Sequence, residues 1–206
     1  MTKTDKRKGD WIQTYTGQAF WPLDPRPSEV HIADIAHSLA NQCRFAGHSL
    51  TYFSVAQHSV LVSDNLPPEL AKWGLLHDAS EAYLVDVPRP VKRSIQGYNE
   101  IEEQVMAAIA MQIGLSWPMP ELVHVVDAEA LATERRDLMA PCERRWACMP
   151  EPWPEIIAPL GQVEAELLFL KRAHDLGVHY ASEALAVATN KLARAAANAH
   201  PWELRP

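Results

Sequence analysis

Apolar residues along this chain recur at three- and four-residue intervals, and most of its prolines fall between the segments that show this spacing. The 206 residues include 29 alanines and 16 prolines but only 8 glycines. Alanine has the highest helix propensity, and proline is tolerated in the first turn of a helix but not in its interior. The pattern therefore predicts an all-α fold, a compact multi-helix bundle. The length fits one domain, because a single core can serve up to ~250 residues.

Start and stop residues divide this pattern into helices. Apolar residues from Ile32 to Cys43 keep helical spacing, and Gly47 is placed to end that first core helix. The run from Ser54 to Gln57 reads S-V-A-Q, a capping box in which the serine hydroxyl accepts a backbone N–H of the first turn. We therefore expect a second helix to begin there.

The remaining helices follow from the same signals. Pro67 and Pro68 supply the first turn of a third helix, on which His77 and Glu81 share one stripe. The other expected boundaries are, in chain order, a start at Asn99 with Glu102 as its capping-box partner, an end at Gly114, a start at Pro120, an end near Met139, and two late helices at 163–176 and 182–199.

Composition divides the chain into three stretches of one domain. Residues 1–27 have little periodicity and are expected to be extended, with a short hairpin as one form. Residues 28–140 form the helical core. Residues 141–206 combine a connection rich in proline and tryptophan with C-terminal helices that complete the same domain.

Charge and cysteine content exclude several classes of protein. Lys and Arg total 19 against 26 Asp and Glu, a net charge of −7, which argues against a long nucleic-acid track. No apolar run is long enough for a membrane span or a signal peptide. The three cysteines form no C-x-x-C pair, which favours a reducing cytoplasm. The apolar late helices offer a surface for a homo-oligomer, without fixing a symmetry.

Two histidines and two aspartates on predicted helices are candidates for a metal site. His58, the pair His77-Asp78, and Asp127 would supply two imidazoles and two carboxylates, a set that suits Mn, Fe, Co, Ni or Zn. Four protein ligands leave two positions of a six-coordinate ion for water and substrate. Glu81 follows His77 by one turn and would project toward the same place, where it could act on metal-bound water.

Other readings of these residues stay open at this point. Asp127 could be an exposed carboxylate, with Glu129 and Glu134 as rival acids on the same helix. Arg44 could pair with Asp34 or another surface acid. The tryptophans at 21, 73 and 146 read as packing residues.

One stretch carries a resemblance to a known family. Residues 77–81 read H-D-A-S-E, and residues 86–92 read D-V-P-R-P-V-K. Together with His58 and Asp127, they resemble the HD-domain metal-dependent phosphohydrolases over about Ile32 to Met139. The similarity is greatest to the small branch of bacterial 5'-deoxynucleotidases and their phage-encoded relatives, some of which are dATP triphosphohydrolases.

The resemblance implies roles for nine residues. One divalent metal ion, either Mn, Co, Zn, Fe or Mg, would be bound by His58, His77, Asp78 and Asp127. Glu81 and Asp86 would be the catalytic carboxylates that orient water or handle its proton. On the first core helix, Arg44 would meet phosphate and Phe45 the nucleoside, because a guanidinium fork reaches two phosphate oxygens. Lys92 matches a basic position after the P-x-P turn.

The expected function is hydrolysis of a small-molecule nucleotide, with removal of the 5'-phosphate of a deoxynucleoside monophosphate as the leading reaction. A second reading is a deoxynucleoside triphosphate triphosphohydrolase that releases triphosphate, with Arg89, Lys92 and Arg93 neutralising the additional charge. A third is a non-catalytic, metal-bound nucleotide-binding module. Base preference and phosphate number stay open, because the segment 19–27 and the chain after Leu176 depart from the small bacterial enzymes and could shape the pocket.

Overall fold

Helices make up most of the molecule in the computed structural model, which describes residues 6–144, 146–147 and 149–178. A short antiparallel hairpin, with two residues in each strand, comes first. The described elements are, in chain order, β1 (Ile12–Gln13), β2 (Ala19–Phe20), a 3-10 turn (Pro27–Glu29), α1 (Ile32–Asn41), a 3-10 turn (Arg44–Gly47), α2 (Val55–Asp64), α3 (Ala71–Leu76), α4 (Glu81–Leu84), α5 (Arg89–Lys92), α6 (Tyr98–Ile113), α7 (Glu121–Leu138) and α8 (Gln162–Asp175). The all-α expectation and the N-terminal hairpin are confirmed.

Helix α2 is the centre of the bundle, since it packs against α1, α3, α7 and α8. Almost every residue of α2 is buried. Its polar side chains therefore need partners inside the protein. Ser59 and Ser63 donate to backbone carbonyls, and Gln57 bonds the segment before α8 at Ala158 and Leu160. His58, also on α2, is fully buried.

Close contact between α2 and α3 depends on Gly74. A Cβ at this position would lie 2.8 Å from the Cα of Ser63, closer than real Cβ atoms approach other heavy atoms. The glycine therefore lets α3 lie directly against α2. This contact brings the C-terminal end of α3, and with it His77, toward the middle of α2.

Local predictions for four helices are confirmed. Helix α7 begins after Pro120 and ends next to Met139, and α8 coincides with the first of the two expected late helices. The Ser54 hydroxyl accepts the backbone N–H of Gln57 at 3.1 Å, as a capping serine should. Gly114 ends α6 with a φ of 76°, in the left-handed region that favours glycine. The expected helix at 182–199 lies outside the described residues.

Three other local predictions are wrong. The first core helix ends at Asn41, because Cys43 pairs with Ser54 in an antiparallel bridge and the Arg44 N–H donates to the Phe53 carbonyl. Helix α6 begins after Gly97, which has a φ of 79°, and has no side-chain cap from Asn99. The third helix ends at Leu76, and turns over residues 77–80 separate it from α4.

None of the described helices is both long and apolar enough to cross a lipid bilayer.

Candidate metal centre

The four predicted ligands converge between α2, the end of α3 and α7. The Nε2 atoms of His58 and His77 are 3.1 Å apart. Asp127 Oδ1 lies 3.1 Å from Nε2 of His58 and 3.7 Å from Nε2 of His77. Asp78 Oδ2 lies 3.5 Å and 3.3 Å from the same two nitrogens. Two imidazole nitrogens and two carboxylate oxygens therefore face one small volume.

Hydrogen bonds on the outer side of each imidazole aim its Nε2 at this volume. His77 Nδ1 lies 2.7 Å from the carbonyl of Gly74, and because a carbonyl only accepts, Nδ1 must carry the proton. His58 Nδ1 lies 2.5 Å from Oε1 of Glu134 and donates to that carboxylate. Both rings can then be neutral with an Nε2 lone pair toward the centre, the form in which histidine binds metals.

The donor set fits a divalent transition metal. Ligand atoms bound at ~2.1 Å from one ion lie about 3.0–3.4 Å apart, which is close to the spacings between these nitrogens and oxygens. His58, His77 and Asp127 offer ligand atoms that all lie within 4.8 Å of one another. In addition, the Glu81 Oε2 atom is buried without a hydrogen-bond partner beside this group. The group formed by His58, His77 and Asp127 could therefore hold a metal ion.

The electrostatics of the four groups favour bound positive charge. Burial acts to raise the pKa of Asp127, but hydrogen bonds from His58 and His77 hold that pKa well below its usual value. Burial acts to lower the pKa of His77, yet the charge of Asp78 and the hydrogen bond that the protonated ring donates to Asp127 raise this pKa well above its usual value. The half-buried carboxylates of Asp78 and Asp127 therefore stay ionised and attract a proton or a metal ion to the site.

Arg44 lies at the edge of this cluster. Its Nη1 is 3.5 Å from Oδ2 of Asp78, and its Nε is 2.9 Å from Oε2 of Glu134. Burial disfavours the guanidinium cation, but Glu134 and Asp78 keep the pKa of Arg44 above its usual value. The alternative partner is excluded, because both carboxylate oxygens of Asp34 accept hydrogen bonds from Thr16. Arg44 is on the turn after α1, not on the helix as the resemblance implied.

Beyond Arg44, aromatic and cationic side chains alternate toward the surface. The Arg44 guanidinium lies 5.5 Å from the ring centre of Phe45, which lies 6.1 Å from that of Trp146. The Arg135 guanidinium lies 5.2 Å from the Trp146 ring. Both aromatic rings are partly exposed. Trp146 therefore does more than fill a core, since it and Phe45 form a partly exposed aromatic wall next to the cluster.

Backbone strain is concentrated at two points that flank this site. Among the described residues, the non-glycine residues with positive φ are Phe45 at 56°, Ala46 at 51° and Val85 at 71°. A β-branched residue such as valine is an outlier at positive φ. The strained residues follow Arg44 and precede Asp86. Strain of this kind persists where the surrounding structure holds a functional geometry.

Glu81 and Asp86 are the two further predicted carboxylates, and both have raised pKa values. Burial, reinforced by the charges of Asp78 and Asp86, raises the pKa of Glu81 well above its usual value. Burial also raises the pKa of Asp86, with Asp78 adding to the effect and Arg44 opposing it. The charges of the cluster therefore affect the pKa values of both carboxyl groups. Glu81 begins the separate helix α4, so its position depends on the turns at 77–80.

Lys92, the predicted basic contact, is directed toward another carboxylate. Its ammonium pairs with Glu102 of α6 and lies 5.4 Å from the ring centre of Tyr98. The structure thus brings eight of the nine predicted site residues around the cluster or beside it, and pairs the ninth with α6.

Glu134 is a residue at this site to which the sequence assigned no role beyond that of a rival to Asp127. The structure places both acids in contact with His58, seven residues apart on α7 and thus on one helix face. Glu134 is fully buried and bonds both His58 and Arg44. The i, i+7 spacing of Asp127 and Glu134 is the signal that could have indicated a joint role.

Comparison with known proteins places the chain in a family. No protein-family model matches the sequence. The chain is 37% identical over 123 residues to an uncharacterized protein of Rhodobacter capsulatus, covering 55% of this chain and 63% of that one. It is 40% identical over 169 residues to the uncharacterized protein YfdR of Escherichia coli strain K12, covering 81% of this chain and 95% of YfdR. The chain belongs to the family of the Escherichia coli protein YfdR.

Proposed function

We propose that this protein is a metal-dependent phosphohydrolase of the HD class that removes the 5'-phosphate of deoxynucleoside monophosphates. The observation that carries the proposal is the convergence of two imidazole Nε2 atoms and two carboxylates, with a buried guanidinium 3.5 Å from one of those carboxylates. A cation held by the four ligands would lower the pKa of water and offset the charge of a phosphate.

Arg44 is the residue best placed to bind the phosphate. Its Nε is held by Glu134 and its Nη1 lies 3.5 Å from Oδ2 of Asp78, so these contacts orient the terminal nitrogens of the guanidinium. Charge-assisted hydrogen bonds from these nitrogens would strengthen as negative charge develops on the phosphoryl oxygens. Arg44 and a divalent cation thus create a local positive site in a chain whose net charge is −7.

Glu81 is the proposed proton acceptor. Its Oε2 is buried and has no hydrogen-bond partner, and a bound cation would favour the ionised carboxylate, which can accept a proton from the attacking water. The water oxygen bonds to phosphorus while the bond between phosphorus and O5' breaks, and O5' takes up the proton that Glu81 received, which yields orthophosphate and a deoxynucleoside. Asp86, held next to the strained Val85, is the second carboxylate for water or the leaving group.

The nucleoside would lie along Phe45 and Trp146. These rings begin immediately beyond Arg44, so a phosphate on the guanidinium would direct the attached nucleoside toward them. Stacking of a base on an aromatic side chain contributes about 1–3 kcal/mol to binding and tolerates any base.

A second candidate is hydrolysis of deoxynucleoside triphosphates to deoxynucleoside and triphosphate. Helix α5 favours it, since Arg89 and Arg93 are exposed there directly after Asp86. The pairing of Lys92 with Glu102 reduces the charge that α5 offers to added phosphates. A module that binds nucleotide without turnover would not require an unpartnered Glu81.

Product analysis tests these candidates. The protein loaded with Mn, Co, Zn or Mg is incubated with each deoxynucleoside mono- and triphosphate, and chelator-treated protein is the matched control. Orthophosphate and deoxynucleoside from monophosphates support the first candidate, and inorganic triphosphate supports the second. If the protein binds nucleotides tightly but forms no product with any of these metals, both hydrolysis candidates are contradicted. The non-catalytic nucleotide-binding module then remains.

A further inference from the structure

Glu134 has both carboxylate oxygens occupied by groups of the candidate site. Oε1 lies 2.5 Å from Nδ1 of His58, and Oε2 lies 2.9 Å from Nε of Arg44. The side chain is fully buried, on the face of α7 that also carries Asp127. One carboxylate therefore joins a predicted metal ligand to the predicted phosphate-binding residue.

Each contact selects one state of its partner. The bond to Nδ1 keeps the proton of a neutral His58 on that nitrogen, which leaves the Nε2 lone pair toward His77 and Asp127. The bond to Nε fixes the plane of the Arg44 guanidinium, so that Nη1 lies 3.5 Å from Asp78. Without the carboxylate, His58 could adopt the other tautomer and Arg44 could rotate its fork away from the cluster.

A purely stabilising role is a weak explanation for this arrangement. A buried ion pair often contributes little to stability relative to apolar residues of similar volume. The chain also contains a second buried carboxylate of the same kind, in which Glu166 Oε2 lies 3.0 Å from Nδ1 of His37, away from the cluster. What distinguishes Glu134 is the pair of groups that it holds.

We propose that Glu134 is a positioning residue that sets His58 for metal binding and Arg44 for phosphate binding at the same time. The metal and the phosphate then depend on one carboxylate, so its loss weakens both. The Arg44 half of this proposal rests on the proposed phosphohydrolase function, whereas the His58 half rests only on the metal centre.

The first experiment measures metal affinity without substrate. Metal-stripped wild type and Glu134→Gln are titrated with Mn or Co against a chromophoric chelator. The variant should lose about 10- to 100-fold in metal affinity, the usual effect of removing the outer partner of a ligating histidine. The matched control is Glu166→Gln, which makes the same chemical change at the other histidine–glutamate pair and should keep metal affinity within about twofold.

Thermal unfolding and circular dichroism establish that each variant is folded. If Glu134→Gln does not fold, Glu134→Asp replaces it, because that variant keeps the buried charge but is too short to reach both partners. It should also lose metal affinity. Unchanged metal affinity in the folded variant would overturn the His58 half, and this result does not depend on whether any substrate is turned over.

A double-mutant cycle tests the Arg44 half. Arg44→Met, Glu134→Gln and the double variant are compared for KM toward a deoxynucleoside monophosphate at saturating metal. If Glu134 acts through Arg44, the double variant should resemble Arg44→Met, so the effects on KM are not additive. Additive effects would overturn this half. Absence of turnover in wild type would refute the proposed function and this half, and the metal titration would still decide the His58 half.

Discussion

Two histidines, fully buried His58 and half-buried His37, each contact a buried glutamate in a different part of this molecule. His58 and Glu134 connect α2 to α7, while His37 and Glu166 connect α1 to α8. In both pairs Nδ1 contacts the carboxylate, at 2.5 Å and 3.0 Å respectively. The pairs differ at the other ring nitrogen, which determines what each imidazole can do.

Nε2 of His58 faces a second imidazole and two carboxylates, whereas Nε2 of His37 lies 3.5 Å from the side-chain nitrogen of Asn41. The His37 ring also stacks on Tyr15, with ring centres 3.8 Å apart. A histidine in contact with a buried carboxylate is therefore not a metal site by itself. It becomes a candidate where further donor atoms meet the free lone pair of the ring.

The largest expected effect is loss of the metal ion when one of the four predicted ligands around His58 is removed. Asp78→Ala should reduce bound metal from about one ion per chain to nearly none, because the remaining donors lose one of two carboxylates. Elemental analysis after dialysis measures the stoichiometry. The control is Asp34→Ala, a buried aspartate on α1 that bonds Thr16, which should retain the metal while losing about 1–3 kcal/mol of stability. Full stoichiometry in Asp78→Ala would contradict the ligand assignment.

The contrast between the two pairs also separates what the sequence predicts from what it does not. His58 and Asp127 are predictable because each falls on a helix with clear periodicity, and because the pattern around His77 and Asp78 resembles a known family. Helical periodicity is local, so it fixes which face a residue occupies. It does not tell which of the two histidines, His37 or His58, meets further donor atoms, since that depends on how the helices pack.

The position of Arg44 shows the same limit. Local spacing extends the first helix through Cys43, but pairing of Cys43 with Ser54 ends it at Asn41. That pairing joins residues eleven positions apart, and the turn that follows holds Phe45 and Ala46 at positive φ. Non-local contacts of this kind override helix propensity. The sequence leaves the role of Glu134 open for a related reason, because its partners come from α2 and from the turn after α1.

A second experiment distinguishes the carboxylates that bind the metal from the carboxylate proposed to accept a proton, Glu81. Glu81→Gln should keep the metal, since Glu81 is not among the converging ligands, but kcat should fall by about 10²- to 10⁴-fold through loss of the proton acceptor. Metal content and kcat are measured on the same preparation. Glu100→Gln, an exposed glutamate in the first turn of α6, should change neither quantity. An unchanged kcat in Glu81→Gln would remove this residue from the mechanism.

The smallest expected effect concerns backbone strain, which also differs between the two regions. The turn beside Arg44 holds Ala46 at a φ of 51°, whereas the turn after α8 uses Gly177 at a φ of 70°. An L-residue in the left-handed region costs about 1–2 kcal/mol, part of which glycine gives back through the entropy of its unfolded chain. Ala46→Gly should therefore raise the free energy of unfolding by about 0.5 kcal/mol, measured by urea denaturation.

The same substitution should weaken function, because a glycine loosens the turn that places Arg44 and Phe45 against the cluster. We expect KM for a deoxynucleoside monophosphate to rise while metal affinity stays constant, since no ligand is on this turn. Gly177→Ala is the control, because it makes the opposite substitution in the turn after α8. It should lower the free energy of unfolding by about 1 kcal/mol without affecting KM. If Ala46→Gly gained stability and left KM unchanged, the strain at this turn would be incidental, and the distinction between the two regions would rest on the donor atoms alone.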